Sequence, residues 1–582
     1  MNPAQLLAHF DRISDAPDAI PRLRRFILDL AVRGKLVEQD PRDEPASELL
    51  KRIQEEKARL VKTGEIKKLE TFEPVEVHEI PFTIPSGWEV IRMGWLAQKL
   101  GAGSTPLGGK SVYQSEGVPF LRSQNVHDDG LRLDDVALIS RSIHERMSDT
   151  HIQHGDLLLN ITGASIGRCA LAPITLIEGN VSQHVAIIRL FLSDIRQFIH
   201  LSLTSPFFQE VIDDVQVGVS REGLSMQRLR LFPMLLPPLA EQHRIVAKVN
   251  ELMALCDRLE AAQAERESRR DRLAIASLHG LNNGADADAF RNHARFYFNH
   301  LPRLTTRPEH IQQLRQTILN LAVRGKLVPQ DPNDESVSEL LKRIQAEKAR
   351  LVKEGKIKKE NLVQASEGIV TPFAIPETWA WTPLSELTEL ITKGSSPKWQ
   401  GVAYVSEGNG VLFITSENVG NYRLRKLDEL KYVEKRFNEI EPRSILRFGD
   451  ILMNLVGASI GRTAVYNLRI EANINQAVAL IRLIQSTPNL CPGFLLHYLN
   501  SPSAIDHMTA SQVVNAQPNI SLTNAREFPI PIPPLAEQHR IVAKVDELMV
   551  LCDRLKAQLT TTQTESRRLL EAVLHEALAP AV

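Results

Sequence analysis

The chain has 582 residues, 43% of them hydrophobic and 24% charged, with 69 basic against 70 acidic side chains and a net charge of −1. That length predicts roughly three to five domains with sizeable cores, and the balanced charge does not by itself announce a nucleic-acid partner. No apolar run reaches the roughly 18 residues of a membrane span and no signal-peptide pattern opens the chain; four cysteines without CxxC spacing argue against a zinc site or a disulfide framework, so a cytoplasmic protein with no membrane partner is expected.

Most of the chain is written twice. Pro237–Leu259 and Pro533–Leu555 (PPLAEQHRIVAKV followed by near-identical sequence) differ only at Asn250/Asp546 and Ala254/Val550, and Ile27–Val37 recurs as Ile318–Val328. A unit of about 290 residues is too long for a solenoid repeat and reads as a duplicated multi-element module.

Each copy has three parts. A helical lead-in comes first (residues 1–80 and 301–370). Phe26, Ile27, Leu30 and Ala31 recur at helical spacing, Gly34 ends that helix, and a second helix is expected from Ala46 to Thr63 with Leu49, Leu50, Ile53 and Leu60 on one side. Lys51–Lys68 and Lys342–Lys359 carry an excess of basic residues, which reads first as a solvated helix face; their recurrence adds only modest weight to a phosphate-facing role. A mixed region follows (81–236 and 371–532), with short β-like runs such as Val118–Leu121, Asp156–Asn160 and Val185–Leu190 broken by Gly, Ser, Asn and Pro.

Each copy ends in a long helix (237–300 with its connector, and 533–582). Leu239 follows Pro237-Pro238, and Ile245, Val249, Leu252, Cys256 and Leu259 form a heptad seam matched by Ile541, Val545, Leu548, Cys552 and Leu555. An unbroken helix to about Leu273 would span roughly 50 Å. Two packings are open: the seams meet each other, most simply as an antiparallel coiled coil, or each packs on its own module. The fold class is therefore α+β: two pseudo-symmetric α/β domains joined by long helices, with duplicated helical lead-ins.

Three islands recur inside the mixed regions. Gly155-Asp156-Leu-Leu-Leu-Asn160-Ile-Thr-Gly-Ala-Ser-Ile-Gly167-Arg168 is repeated from Gly449 to Arg462, Asn180–Gln183 as Asn473–Gln476, and Val118–Val126 more loosely as Val411–Val419. With the PPLAEQHRIVAKV helix start and the tandem layout, these features resemble the specificity subunit of type I restriction–modification systems over nearly the whole chain. The resemblance implies two target-recognition domains, each reading one half of a bipartite double-stranded DNA site, and helices that set the spacing and hold two methyltransferase subunits. Translocase–nuclease subunits would complete a restriction complex. S-adenosylmethionine, ATP and Mg belong on those partners; this chain is expected to bind no cofactor or metal and to be non-catalytic. The duplicated lead-in lengthens the chain beyond the plainest layout and is read as extra docking surface.

Asn and Gln can pair with adenine, Arg with guanine, and Ser or Thr with bases or phosphate. The loop candidates are Ser104, Thr105, Arg122, Ser123, Gln124, Asn125, Ser220 and Arg221 in the first domain. In the second they are Lys393, Ser395, Ser396, Thr415, Ser416, Asn418, Asn515 and Gln517. Arg168 and Arg462 read equally as phosphate contacts or structural ion pairs. Sequence readout should sit where the copies differ. His243 and His539 read as helix-face residues at a packing or partner surface, Cys256 and Cys552 as small core residues, and Trp88 and Trp379 as core anchors. Aromatics at 5% disfavour a single-strand stacking platform.

The rival readings are weaker. STPLGGKS (Ser104–Ser111) lacks the first glycine of a phosphate loop. GASIG matches GxSxG at Gly163–Gly167 and Gly457–Gly461, but a nucleophile elbow needs a helix after the serine and the following residues look β-like. Neither an [ND]PP[YF] methyltransferase motif nor HExxH occurs. A coiled-coil interaction scaffold whose globular domains bind protein, and a specificity subunit serving a methyltransferase without a nuclease, are the alternatives.

Overall fold

The structure is a computed structural model that describes residues 16, 18–66, 71–216, 223–283, 286–357, 371–484, 490–510 and 519–578. The chain divides into two compact units, Met1–Arg266 with Thr562–Val582, and Glu267–Thr561. Each unit therefore contains the first part of one long helix and the last part of the other.

In the first unit the helix Ala19–Val32 stops where the sequence says it should. Gly34 adopts φ +66°, and the Lys35 N–H donates to Leu30 O at 2.9 Å, a Schellman closure. The glycine is required twice over: a Cβ there would lie 2.4 Å from Pro85 Cγ. The second helix, Ala46–Lys62, buries Ala46, Leu49, Ile53 and Leu60.

The mixed region is two stacked sheets. The larger is antiparallel, in the order Ala97–Ala102, Val185–Leu190, Leu157–Asn160, Cys169–Leu171. The smaller joins Ala137–Ile139, Val118–Leu121 and Asn180–Val181, the last pair parallel. Side chains alternate across a strand, so an apolar run such as Leu157-Leu158-Leu159 must be covered on both faces. It is: Leu157 and Leu159 join the core shared with the helices, and Leu158 joins the core between the sheets. A two-stranded pair, Glu89–Arg92 with Pro233–Leu236, closes the region by joining its beginning to its end.

The segments read as separate parts share one core. Ile20, Ile27 and Ile53 of the lead-in, Trp88, Leu157 and Ile188 of the mixed region, and Ile245, Val249 and Cys256 of the long helix belong to one cluster. Arg24 donates to Asp257 at 2.7 Å and to Glu260 at 2.8 Å, laying the first helix along the seam. Its N-terminal end meets the end of the C-terminal helix, where Ala16 and Ala19 pack with Leu570 and Val573 and Arg22 donates to Glu571 at 2.7 Å.

The second unit repeats this plan. Its sheets run Thr388–Lys393, Val478–Leu483, Ile451–Asn454, Thr463–Val465, and Tyr404–Val405, Lys431–Glu434, Gly410–Ile414, Ala472–Ile474. Ala380–Pro383 pairs with Pro529–Ile532 as the closing strands. The helix Pro308–Val323 holds both long helices: His310 and Arg307 bond Asp271, and Arg315 donates to Asp553 at 2.6 Å. Ile541, Val545 and Cys552 share a core with Ile311, Leu314 and Ile318. The buried part of each seam thus packs within its own unit, the second of the two packings open from sequence. The lead-in, expected as docking surface, is the cradle of the long helices.

The long helices run Leu239–Asn283 and Leu535–Leu578, the first ten residues beyond the expected end. Polar positions after Leu259 weaken the apolar seam without breaking the helix, because Arg, Glu, Gln and Ala are good helix formers. Among the described residues no helix is long and apolar enough to cross a membrane.

The Gly-Asp of the first island proves structural. Asp156, 1% exposed, accepts from Arg189 Nε and Nη2 at 2.8 and 2.7 Å, and its copy Asp450 accepts from Arg482 at the same two distances. Arg482 is itself 7% exposed, so losing the carboxylate leaves a buried charge unpaired. Asp450→Ala is expected to destabilise the second unit by about 3–5 kcal/mol, read as a lower midpoint in denaturant unfolding; a change under about 1 kcal/mol would mean that Arg482 finds water.

Candidate nucleic-acid interface

Four loops of the first domain are tied together by backbone bonds. Gly103 N donates to Val185 O at 2.9 Å, Ser104 N to Val181 O at 3.2 Å, Ser182 N to Leu121 O at 2.9 Å and Ile161 N to His184 O at 3.0 Å. These bonds set Gly103–Thr105, Arg122–Asn125, Thr162–Arg168 and Ser182–His184 side by side. Gly103 is needed because a Cβ would sit 2.1 Å from Val181 O. Buried Asn160 joins two loops, donating to Ser123 O at 2.8 Å and to Ser165 Oγ at 3.1 Å.

The second domain builds the same group. A Cβ on Gly394 would lie 1.7 Å from Ile474 O; Asn475 N donates to Ile414 O at 3.1 Å, Leu455 N to Ala477 O at 2.9 Å and Asn454 Nδ2 to Ser416 O at 2.9 Å.

The GASIG segment is a turn. Gly163 and Gly167 take φ +80° and +86°, Gly457 and Gly461 +72° and +80°. The strand after it, Cys169–Leu171 or Thr463–Val465, pairs back on the strand before it. A nucleophile elbow would lead into a helix, and Ser165 Oγ instead accepts from Asn160.

The predicted contact residues fall into three groups. Ser104, Thr105, Gln124, Arg168 and Lys393 are exposed, and Arg122, Ser123, Ser395, Ser396, Ser416 and Arg462 partly so. Among the described residues neither Arg168 nor Arg462 has an ion-pair partner, so the structural ion pair open from sequence is not formed there; Asp156 and Asp450 pair instead with Arg189 and Arg482. Asn125, Thr415 and Asn418 are turned inward, at 2%, 7% and 3% exposure. Asn125 Oδ1 accepts from Arg122 N at 3.0 Å while its Nδ2 donates to Arg132 O at 2.9 Å; Asn418 Oδ1 accepts from Thr415 N and Oγ1, both at 3.0 Å. They shape the loops because their amides replace missing ladder partners. Ser220, Arg221, Asn515 and Gln517 lie outside the described residues.

Gln183 and His184 were not singled out, yet both are exposed among these loops. For His184 the signal was divergence just past a recurring island, where the second copy has Ala477; Gln183 recurs as Gln476 and ends that island. His243 and His539 are exposed on their helices, and among the described residues no group of three or more His, Cys, Asp or Glu side chains is placed to hold a metal ion.

Residues 85–266 and 376–562 match the family described as the type I restriction modification DNA specificity domain. The chain belongs to that family. It is 32% identical to the type I restriction enzyme EcoEI specificity subunit of Escherichia coli, over 96% of this chain and 94% of that one. It is also 32% identical to the EcoAI specificity subunit of the same organism, with the same two coverages. A chain from a solved type I R-M system assembly is 20% identical, with TM-score 0.48, covering 85% of this chain and 99% of that one. The HsdS subunit from Thermoanaerobacter tengcongensis is 21% identical, with TM-score 0.42, covering 86% and 99%. The family boundaries begin at the closing strands and end within the long helices, so each matched segment contains one loop group and the start of one helix.

Asn125→Ala strips two backbone groups of their side-chain partners. It is expected to cost about 1–3 kcal/mol for each group left unsatisfied, measured as a lower thermal midpoint; an unchanged midpoint would return Asn125 to the set of exposed reading residues.

Proposed function

We propose that this chain is the DNA sequence-reading subunit of a type I restriction–modification complex. Each domain reads one half of a bipartite double-stranded site. The observation that carries this is the repeated loop group: two backbone bonds, the asparagine tie of Asn160 and Asn454 and the close approach of Gly103 and Gly394 recur in both domains, while loop positions such as Gln124/Glu417, Thr162/Val456 and His184/Ala477 differ. A common frame with divergent polar tips suits two unlike half-sites. Hydrogen bonds to base edges specify sequence and contacts to phosphates fix register.

Two readers select a split site only if their separation is fixed to the helical phase of DNA. Helices of 45 and 44 residues supply rigid chain for that purpose. Two methyltransferase subunits, and translocase–nuclease subunits, are the proposed partners. Methyl transfer and cleavage, with S-adenosylmethionine, ATP and Mg, would reside on them.

Single-molecule sequencing of adenine methylation in host cells with and without this chain tests the reading. A split motif that vanishes on deletion is expected, and exchanging residues 81–236 for those of another family member should change one half only. Methylation that is independent of the chain while the partner subunits are expressed would sink the proposal.

The guanidiniums of Arg168 and Arg462, without an ion-pair partner among the described residues, are proposed phosphate contacts. Arg168→Gln or Arg462→Gln is expected to weaken binding on every sequence and to reduce the salt slope by about 1, with the motif unchanged. Titration of the assembled complex with double-stranded DNA between about 50 and 200 mM salt measures it.

A further inference from the structure

In the first domain, side chains at the ends of the loops form a directional chain. Thr105 Oγ1 donates to Gln183 Oε1. The amide nitrogen of Gln183 has only hydrogens to give, so its contact with His184 Nε2 at 3.0 Å makes that ring nitrogen the acceptor. The ring hydrogen then lies on Nδ1, which donates to Thr162 Oγ1 at 2.5 Å. Thr162 accepts that bond and keeps its own hydroxyl hydrogen, for which no acceptor stands among the described residues. Gln183 and His184 are exposed and Thr162 half-buried. The chain ends in a donor held at a fixed place.

Backbone bonds identify the matching position in the second domain. Ile161 N bonds His184 O at 3.0 Å and Leu224 N bonds Ile161 O at 2.8 Å. Leu455 N bonds Ala477 O, and Ile520 N bonds Leu455 O, both at 2.9 Å. Ala477 therefore stands in the place of His184, and Val456 in that of Thr162. Gln476 replaces Gln183 and Ser396 replaces Thr105. No ring nitrogen follows Gln476, and the surface beside it is a half-buried valine and alanine.

We propose that this paired position makes the two domains select different base pairs: Thr162 donates to a base-edge acceptor in one half-site, and Val456 with Ala477 packs on a thymine methyl in the other. The inference rests on the DNA-reading role proposed above. A base lacking an acceptor would leave the Thr162 hydrogen unpaired when water is expelled, which penalises it; alanine and similar groups match the thymine methyl. A phosphate partner fits less well. Phosphates are common to every sequence, and the copies keep Arg168 and Arg462 in register while this position changes from polar to apolar.

The test uses the full complex in host cells, read as a methylation motif. Thr162→Val is nearly isosteric and removes only the donor. It should relax one position of the first half-site, lowering the preference there by about tenfold to a hundredfold, with the second half and the spacer unchanged. Val456→Thr combined with Ala477→His should alter one position of the second half only. Motifs unchanged in both variants, beside a chain-dependent wild-type motif, overturn this inference alone. Equal loss of methylation at all sites, by a variant that still assembles with its partners, also overturns it, since that is the mark of a phosphate or purely structural contact. A wild-type chain that directs no split motif overturns the proposed function and this inference with it.

Discussion

One buried carboxylate holds the start of each long helix, and the geometry of each unit hangs on it. Glu241 is 2% exposed and accepts the Trp88 indole N–H at 3.1 Å and the Gln39 amide at 3.1 Å. Glu537, fully buried, accepts Trp379 at 3.1 Å and Gln330 at 3.3 Å. Burying a carboxylate is costly unless its oxygens are bonded. Burial still pushes the Glu537 carboxyl above the usual range, against the pull of those two bonds and of Arg540. The first helical turn offsets part of that cost, since unpaired N–H groups and the helix dipole favour a negative charge there. Next to it, Arg244 grips Asp43 and Arg540 grips Asp334 through two bonds each. Helix start, lead-in and mixed region meet at that point, so a shift in any one would break bonds to the other two. Within the recurring AEQHR, the Glu, Gln and Arg each have a partner there.

The same distinction between frame and tip runs through both domains. Positions that recur are mostly inside: Asp156 and Asp450 pair with arginines, Asn160 and Asn454 tie loops, and Gly103 and Gly394 let strands approach within the radius of a Cβ. Each has a contact that only its own residue type can make. The exposed loop ends have no such obligation. A change from His184 to Ala477 or from Thr162 to Val456 leaves the backbone bonds around it in place. Specificity can therefore drift at little cost in stability.

Much of this was legible from residues alone. Repetition at an interval of about 290 positions exposed the two modules, and the Gly34 stop, the second helix and the long helices follow from periodicity and helix-end chemistry. The site was harder. Asn125 and Asn418 carry base-reading chemistry in polar, Gly-poor loops, and nothing in their own letters says that both amides point inward to satisfy the backbone. Gln183 and His184 were hidden because they border an island whose buried half, Asn180, explains its recurrence structurally: Asn180 is bonded to His144, Met147 and Thr150. The heptad seam left its partner open for a general reason, since an apolar stripe states that something covers it and not what.

The closing strands explain how such a domain can change its target without losing its fold. Glu89 pairs with Leu236 and Arg92 with Pro233, so the two ends of the mixed region lie side by side, and Ala380–Pro383 repeats the arrangement with Pro529–Ile532. A segment whose ends already meet can be replaced without altering the path of the chain outside it. What a replacement must keep is small and local. The residues before the first closing strand have to seat against the lead-in and the long helix, as Pro85 and Trp88 do on Gly34 and Trp88 on Glu241, and the apolar faces of strands such as Leu157–Asn160 must still fill the shared core. Phe494 meets Trp379 in the second unit as Phe198 meets Trp88 in the first, with ring centroids 5.9 and 6.0 Å apart. The lead-in and the long helix thus accept any reader that presents that face, and the freedom of the loops is a consequence of how strictly the opposite side is specified.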